Sequence, residues 1–124
     1  MHEVSVMASI IDSVLAELAK HDVLSVEEVD LVIGELTFLG EEQLRFAFEV
    51  LSRGNALENA KLNISQEKIE VGCHACGYVG PVDYIGSSAD HMVIPNLVCP
   101  KCGSGVEITK GKSCGVTSIK VVER

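Results

Sequence analysis

Residues 73–77, Cys-His-Ala-Cys-Gly, and residues 99–103, Cys-Pro-Lys-Cys-Gly, decide how this chain is organised. A Cys-x-x-Cys pair lets one tight turn aim both sulfurs at a single ion, and the glycine after each pair relieves crowding where the chain leaves that turn. Cys73, Cys76, Cys99 and Cys102 together offer four thiolates, the donor set of a closed tetrahedral zinc site. No position is left open for water, so the spacing predicts a structural zinc rather than a catalytic one. Iron in a rubredoxin-like site suits the same knuckles, and disulfides or free thiols are the remaining alternatives.

Working outward, residues 72–105 are rich in Gly, Pro and Asn at turn-like positions. On the N-terminal side, 61–71 alternates Leu62 and Ile64, then Ile69 and Val71 after Gln66 and Glu67, as one long strand or a bulged pair would. On the C-terminal side strand character returns over 106–122, most clearly over 116–122. Val29 to Leu36, VDLVIGEL, reads as a β-branched strand with Gly34 as a bulge or a point of close approach. Residues 3–21 carry Met7, Ile11, Val14, Leu15 and Leu18 at helical spacing, a stripe that predicts a core face. Gly40, Glu41 and Glu42 open a second helix, because acids favour the first turn, with Leu44, Ala47, Phe48 and Leu51 as its buried stripe and Gly54 as its C-terminal cap. Helix, strand, helix, strand, cysteine module, strand predicts an α+β fold. The expected architecture is two helices packed on a small three-stranded sheet, with an inserted zinc-ribbon-like β module. The domains would then be 1–72 with 106–124, interrupted by a four-cysteine zinc module at 73–105.

At 124 residues and 47% hydrophobic composition the chain can bury a core. No apolar run approaches the length of a membrane span, and no basic leader precedes the first helix. Eighteen acidic residues against 10 basic ones give a net charge of −8, which repels a phosphate backbone and argues against nucleic acid as a partner. Paired cysteines without a secretion signal suit a reducing, cytoplasmic setting and metal-bound thiolates. Gly111-Lys112-Ser113 imitates the end of a phosphate loop, but the required earlier glycine is Val106, and a strand pattern follows instead of a helix. Cys114 reads as a small buried or half-buried residue. The H-x-E motif of zinc deaminases is absent, and no nucleophile–base pair is legible, so an enzyme is not expected.

The chain begins Met1-His2-Glu3. A histidine at position two can offer three nitrogens in one plane: the terminal amine, its own deprotonated amide and its imidazole Nδ1. Planar nitrogen sites favour nickel(II) or copper(II). The competing reading is a solvated histidine at a chain end.

With these pieces in order, the whole chain resembles the HypA family, nickel metallochaperones of nickel–iron hydrogenase maturation. The resemblance rests on the Met1-His2-Glu3 start, the first helix, Val32-Ile33-Gly34-Glu35-Leu36, the LRFAFE run from Leu44 to Glu49, the two Cys-x-x-Cys-Gly knuckles, and Ser118-Ile119-Lys120-Val121. It implies a nickel-binding α+β domain built from both chain ends, with the zinc module inserted between strands. It implies nickel as transient cargo on the amine of Met1 and on His2, with Glu3 in the motif. It also implies the GTPase HypB and the hydrogenase large subunit as partners, and urease for some relatives. Three nitrogens leave one planar position, and His91, between the knuckles, is the candidate fourth ligand; the plainer reading is an exposed loop histidine. The competing function is a zinc-ribbon protein–protein interaction module without nickel transfer.

Overall fold

The computed structural model describes residues 3–85 and 94–124. Met1, His2 and His91, three of the expected nickel ligands, lie outside the described residues.

Helix α1 spans Glu3–Leu18 and helix α2 spans Glu41–Leu51. The expected stripes are the buried faces: Met7, Ile11 and Val14 on α1, and Leu44, Ala47 and Phe48 on α2, with Leu15, Leu18 and Leu51 partly buried beside them. Helix α1 stops short of residue 21 because its last bonds tighten, with the N–H groups of Lys20 and His21 donating to the carbonyls of Glu17 and Leu18. Strand β1 runs Val23–Gly34, earlier in both start and end than the pattern suggested. Its first half carries Glu27 and Glu28 on the open face, which hides the alternation. A register shift between Val26 and Glu28 against the C-terminal strand returns Val26 to the buried side that Val29, Leu31 and Ile33 occupy. Leu36 belongs to a 3-10 turn, Glu35–Thr37, and not to the strand.

Strand β2, Lys61–Glu67, pairs parallel with β1, and the last strand, β8, Cys114–Glu123, pairs antiparallel on its other side, giving the order β2-β1-β8. The crossover between the parallel strands is α2, as parallel pairing requires. Arg45 ties that helix to the sheet by donating to the Leu62 carbonyl at 2.7 Å. The two helices and three strands enclose one core from Met7 to Leu62.

Residues 61–71 are neither one strand nor a bulged pair. The chain breaks at Lys68 and Ile69, and β3, Glu70–Gly72, enters a different sheet between β4, Val79–Gly80, and β7, Glu107–Lys110. Leu62 faces the first core, whereas Ile69, Val71 and Val82 form a second, small one. A short ribbon, β5 Tyr84–Ile85 with β6 Ile94–Pro95, completes the insertion.

Two linkers, 67–69 and 111–113, join the parts and are stitched together. The Gly111 N–H donates to Glu67 Oε1 at 2.8 Å, Leu36 N–H to the Gly111 carbonyl at 2.8 Å, and Gly34 N–H to the Ser113 carbonyl at 2.9 Å. Gly34 is a close-approach point: a Cβ there would lie 2.5 Å from the Gly111 carbonyl carbon. Gly111-Lys112-Ser113 is a turn leading into β8, with Gly111 at φ +88, which removes the phosphate-loop resemblance. Cys114 is half-buried against the main core, and burial pushes its thiol up, so it is a packing residue.

Candidate metal centre

Each knuckle is the same small turn. Gly77 N–H donates to the Cys73 carbonyl and Cys73 N–H to the Tyr78 carbonyl; Gly103 N–H donates to the Cys99 carbonyl and Cys99 N–H to the Ser104 carbonyl. Both glycines sit in the left-handed region, at φ +81 and +77, where a side chain would be strained. The first knuckle grows from the β3–β4 hairpin and the second from the Val98–Gly105 bridge. Two similar turns therefore face each other, each with its first cysteine buried and its second exposed.

The four sulfurs lie within 4.8 Å of one another. Cys73 and Cys102 are 3.6 Å apart and Cys76 and Cys99 3.5 Å. A tetrahedron with zinc–sulfur bonds of about 2.3 Å has edges of roughly 3.8 Å, so the donor set fits that ion. The surroundings favour thiolates selectively. The Ser104 hydroxyl and N–H draw Cys102 down to about 6. Cys99 is held below the usual thiol range: burial opposes its charge, but the N–H groups of Cys102 and Lys101 outweigh that. At Cys76 the Tyr78 backbone bond favours the thiolate, yet Cys99, burial, Cys73 and Cys102 together push it up to about 12. All four sulfurs can be thiolates together only with a divalent cation between them. The site can hold a metal such as zinc, with no protein position left for a substrate.

His74, inside the first knuckle, turns aside: its Nε2 lies 3.0 Å from Glu107 Oε2. Glu3 begins α1, and its carboxylate accepts the Gly40 N–H at 2.9 Å, joining the head of α1 to the N-cap of α2.

The 3-10 turn holds a polar cluster that the sequence did not announce. Glu35 accepts the Tyr84 hydroxyl on both oxygens, at 2.7 and 2.9 Å, and the Ile69 N–H at 3.1 Å, with Lys68 Nζ 3.8 Å away. Burial opposes its charge, but Tyr84, Ile69 and Lys68 outweigh that and hold the carboxyl below its ordinary range. Tyr84 is pushed up to about 12 by the same contact. Leu36, next in the turn, packs on Ile69, Val71 and Val82 and closes the second core from outside. Glu35 was visible only as part of a strand, and no spacing signals a partner 49 residues away.

Residues 1–121 match the family model described as hydrogenase/urease nickel incorporation, metallochaperone, HypA. The chain belongs to the HypA family. Hydrogenase maturation factor HypA of Methanothermobacter thermautotrophicus is 37% identical, covering 100% of this chain and 99% of its own. That of Pyrococcus furiosus is 32% identical, over 98% and 96%. The solution structure of the nickel metallochaperone HypA from Helicobacter pylori superposes with a TM-score of 0.70 at 28% identity, covering both chains fully. The family model describes metallochaperones for nickel incorporation, and this chain combines its two helices with a four-cysteine cluster. Among the described residues no helix is long and apolar enough to cross a membrane.

Proposed function

We propose that this chain carries nickel in the cytoplasm to the large subunit of a nickel–iron hydrogenase, receiving or passing it in concert with the GTPase HypB. One observation supports the separation of cargo from scaffold: the clustered cysteines form a closed four-sulfur group that a single structural zinc would saturate. Cargo then belongs at a second, open place. The proposed donors are the amine of Met1 and the amide and Nδ1 of His2, with Glu3 next in sequence, and ligands at a chain end exchange readily. The chain divides, in this reading, into a nickel-binding α+β domain from both chain ends and the four-cysteine zinc module, whose sheet carries it beyond the expected 73–105 to the linkers at 67–69 and 111–113. Bound zinc supplies folding energy to the module, and Cys73, Cys76, Cys99 and Cys102 hold it. His91 is the proposed fourth nickel ligand.

The test is nickel calorimetry on protein with its native N-terminus. His2→Ala, or any residue added before Met1, is expected to abolish tight binding, and equal affinity in an N-terminally extended protein would overturn the reading. Because the amine and imidazole have ordinary pKa values of about 7.7–8.0 and about 6.5, protons compete and nickel should leave toward acid pH. His91→Ala should weaken binding and His74→Ala should not.

A second reading is an interaction module without nickel transfer. It is favoured by the exposed apolar side chains Val79, Ile85 and Ile94 around the cysteines. The same titration separates the two.

A further inference from the structure

Two linkers and the side chain of Leu36 attach the module to the α+β part. The linkers run side by side, bonded to each other through Glu67 and Gly111. A joint of this kind fixes where the module sits but resists rotation poorly, because these contacts, among the described residues, lie at the place where the chain crosses. Tyr84 belongs to the β5–β6 ribbon, between the two knuckles, and reaches back to Glu35. That bond spans the joint from the ribbon side. One hydroxyl hydrogen is shared between the two carboxylate oxygens, and the bond is charge-assisted, the stronger kind of hydrogen bond. Glu35 is itself held, because its Oε1 also accepts the N–H of Ile69 in the first linker, and only 24% of its side chain is exposed.

The turn that carries Glu35 is firmly tied. Thr37 Oγ1 donates to the Gly34 carbonyl at 2.7 Å, and Leu36 N–H donates to Gly111. Phe38 follows in the left-handed region, at φ 54, although 71% exposed. A bulky residue keeps that conformation only where its surroundings over-determine it. The turn ends at Thr37, and the chain runs on through Phe38 and Leu39 to Gly40, whose N–H is bonded by Glu3.

We propose that Glu35 is a positioning residue: with Tyr84 it sets the orientation of the four-cysteine module on the α+β part, and the segment from Glu35 to Gly40 carries that orientation to Glu3 at the head of α1. The clasp stands on geometry alone. Its bearing on nickel rests on the function proposed above, and would link the two metal sites through one short, stiff segment rather than through a shared ligand.

The experiment uses the full chain, zinc-loaded and free of nickel, so a failed nickel reading leaves its outcome intact. Residual dipolar couplings are measured on amides of β1, β2 and β8 and on amides of β3, β7 and the knuckles. In the wild type one alignment frame should fit both sets. Tyr84→Phe, which removes only the hydroxyl, should give two frames, with the module amides aligned more weakly than the sheet amides. Glu35→Ala should match it. Glu35→Gln keeps an acceptor for Tyr84 and Ile69 and should fall between wild type and Glu35→Ala, a rescue that loss of local packing does not predict. The Gly40 and Glu3 amide shifts should move in Tyr84→Phe. Retained zinc and unchanged couplings within each part show that the variants fold. A single frame in both Tyr84→Phe and Glu35→Ala would overturn the proposal and assign orientation to Leu36 and the linkers. Two frames with an unmoved Gly40 amide would overturn the transmission to Glu3.

Discussion

Among the described residues, twelve buried side chains, from Met7 on α1 to Leu62 on β2, close the core of the α+β part, whereas the buried aliphatic cluster of the module is Ile69, Val71 and Val82. Fully burying a Val, Leu, Ile or Met contributes about 1.5–3 kcal/mol, so the first set can sustain a fold and the second cannot offset the ordering of roughly forty residues. On the zinc site proposed above, the module makes up the difference from two outside sources, a metal at its four sulfurs and Leu36 from the turn after β1. One half of the molecule is then held by burial and the other by ligation.

Metal removal should break this comparison hardest. Structural zinc supplies on the order of 10 kcal/mol to small modules, so a chelator, or Cys99→Ser, should unfold the region around both knuckles while the α+β part persists. Amide exchange read residue by residue is the measurement. Protection lost from β1 and β8 together with the knuckles would mean that the two halves are a single cooperative unit.

The reverse experiment is smaller. Leu44 is fully buried between α2 and the sheet. Leu44→Ala should cost about 2–5 kcal/mol, lowering the denaturant midpoint of the α+β part without changing zinc stoichiometry. Zinc loss in step with the midpoint would show that the module depends on the core beneath it and not on ligation alone.

Smaller again is a change at the joint. A Cβ on Gly34 would meet the backbone of Gly111 at 2.5 Å and of Ser113 at 2.7 Å, and backbone cannot step aside as a side chain can. Gly34→Ala should cost roughly 1–3 kcal/mol by overpacking. Faster exchange is expected at the Gly34 and Leu36 amides, which donate to Ser113 and Gly111, with the centres of both halves unaltered.

These contrasts also explain what the sequence disclosed. Spacing within a few residues was legible: the helix stripes, the paired cysteines with their glycines, and Gly34 as a crowded position. Each reports a local geometry that only certain residue types satisfy. The start of β1 was not legible, because a bulge near Glu27 breaks its period. The break at Lys68 was not either, since Ile69 and Val71 continue the alternation of Leu62 and Ile64 while facing a different core. Leu36 looked like the end of a strand and serves the module. Glu35 and Tyr84 meet across 49 residues with no periodicity to betray them. The metal cluster could be read because its chemistry is written in four identical residues, whereas the contacts that orient it are written in ordinary ones.

The gentlest probe of the comparison acts at that orienting contact and needs no mutation. Glu35, Lys68 and Tyr84 face one another there. The carboxylate raises the Tyr84 phenol from its ordinary 10.0 to about 12, because ionising it would set two negative groups in contact. A raised pKa means that the folded state favours the neutral phenol. The contribution of the clasp is therefore complete below about pH 10 and is lost as the pH rises through about 12. Glu35 works in the other direction: its carboxyl is held low, so its contribution is present above the ordinary value of 4.5 and lost as the pH falls through its lowered one. On the zinc site proposed above, acid also protonates the cysteine ligands, so the alkaline limb is the informative one. Following the Tyr84 ring carbon by NMR, the wild type should titrate near 12, and Glu35→Gln should bring the midpoint back toward 10. A wild-type Tyr84 that titrates at its ordinary value, unmoved by Glu35→Gln, would show that the phenol does not rest on the carboxylate in solution and that the joint is held by Leu36 and the linkers alone.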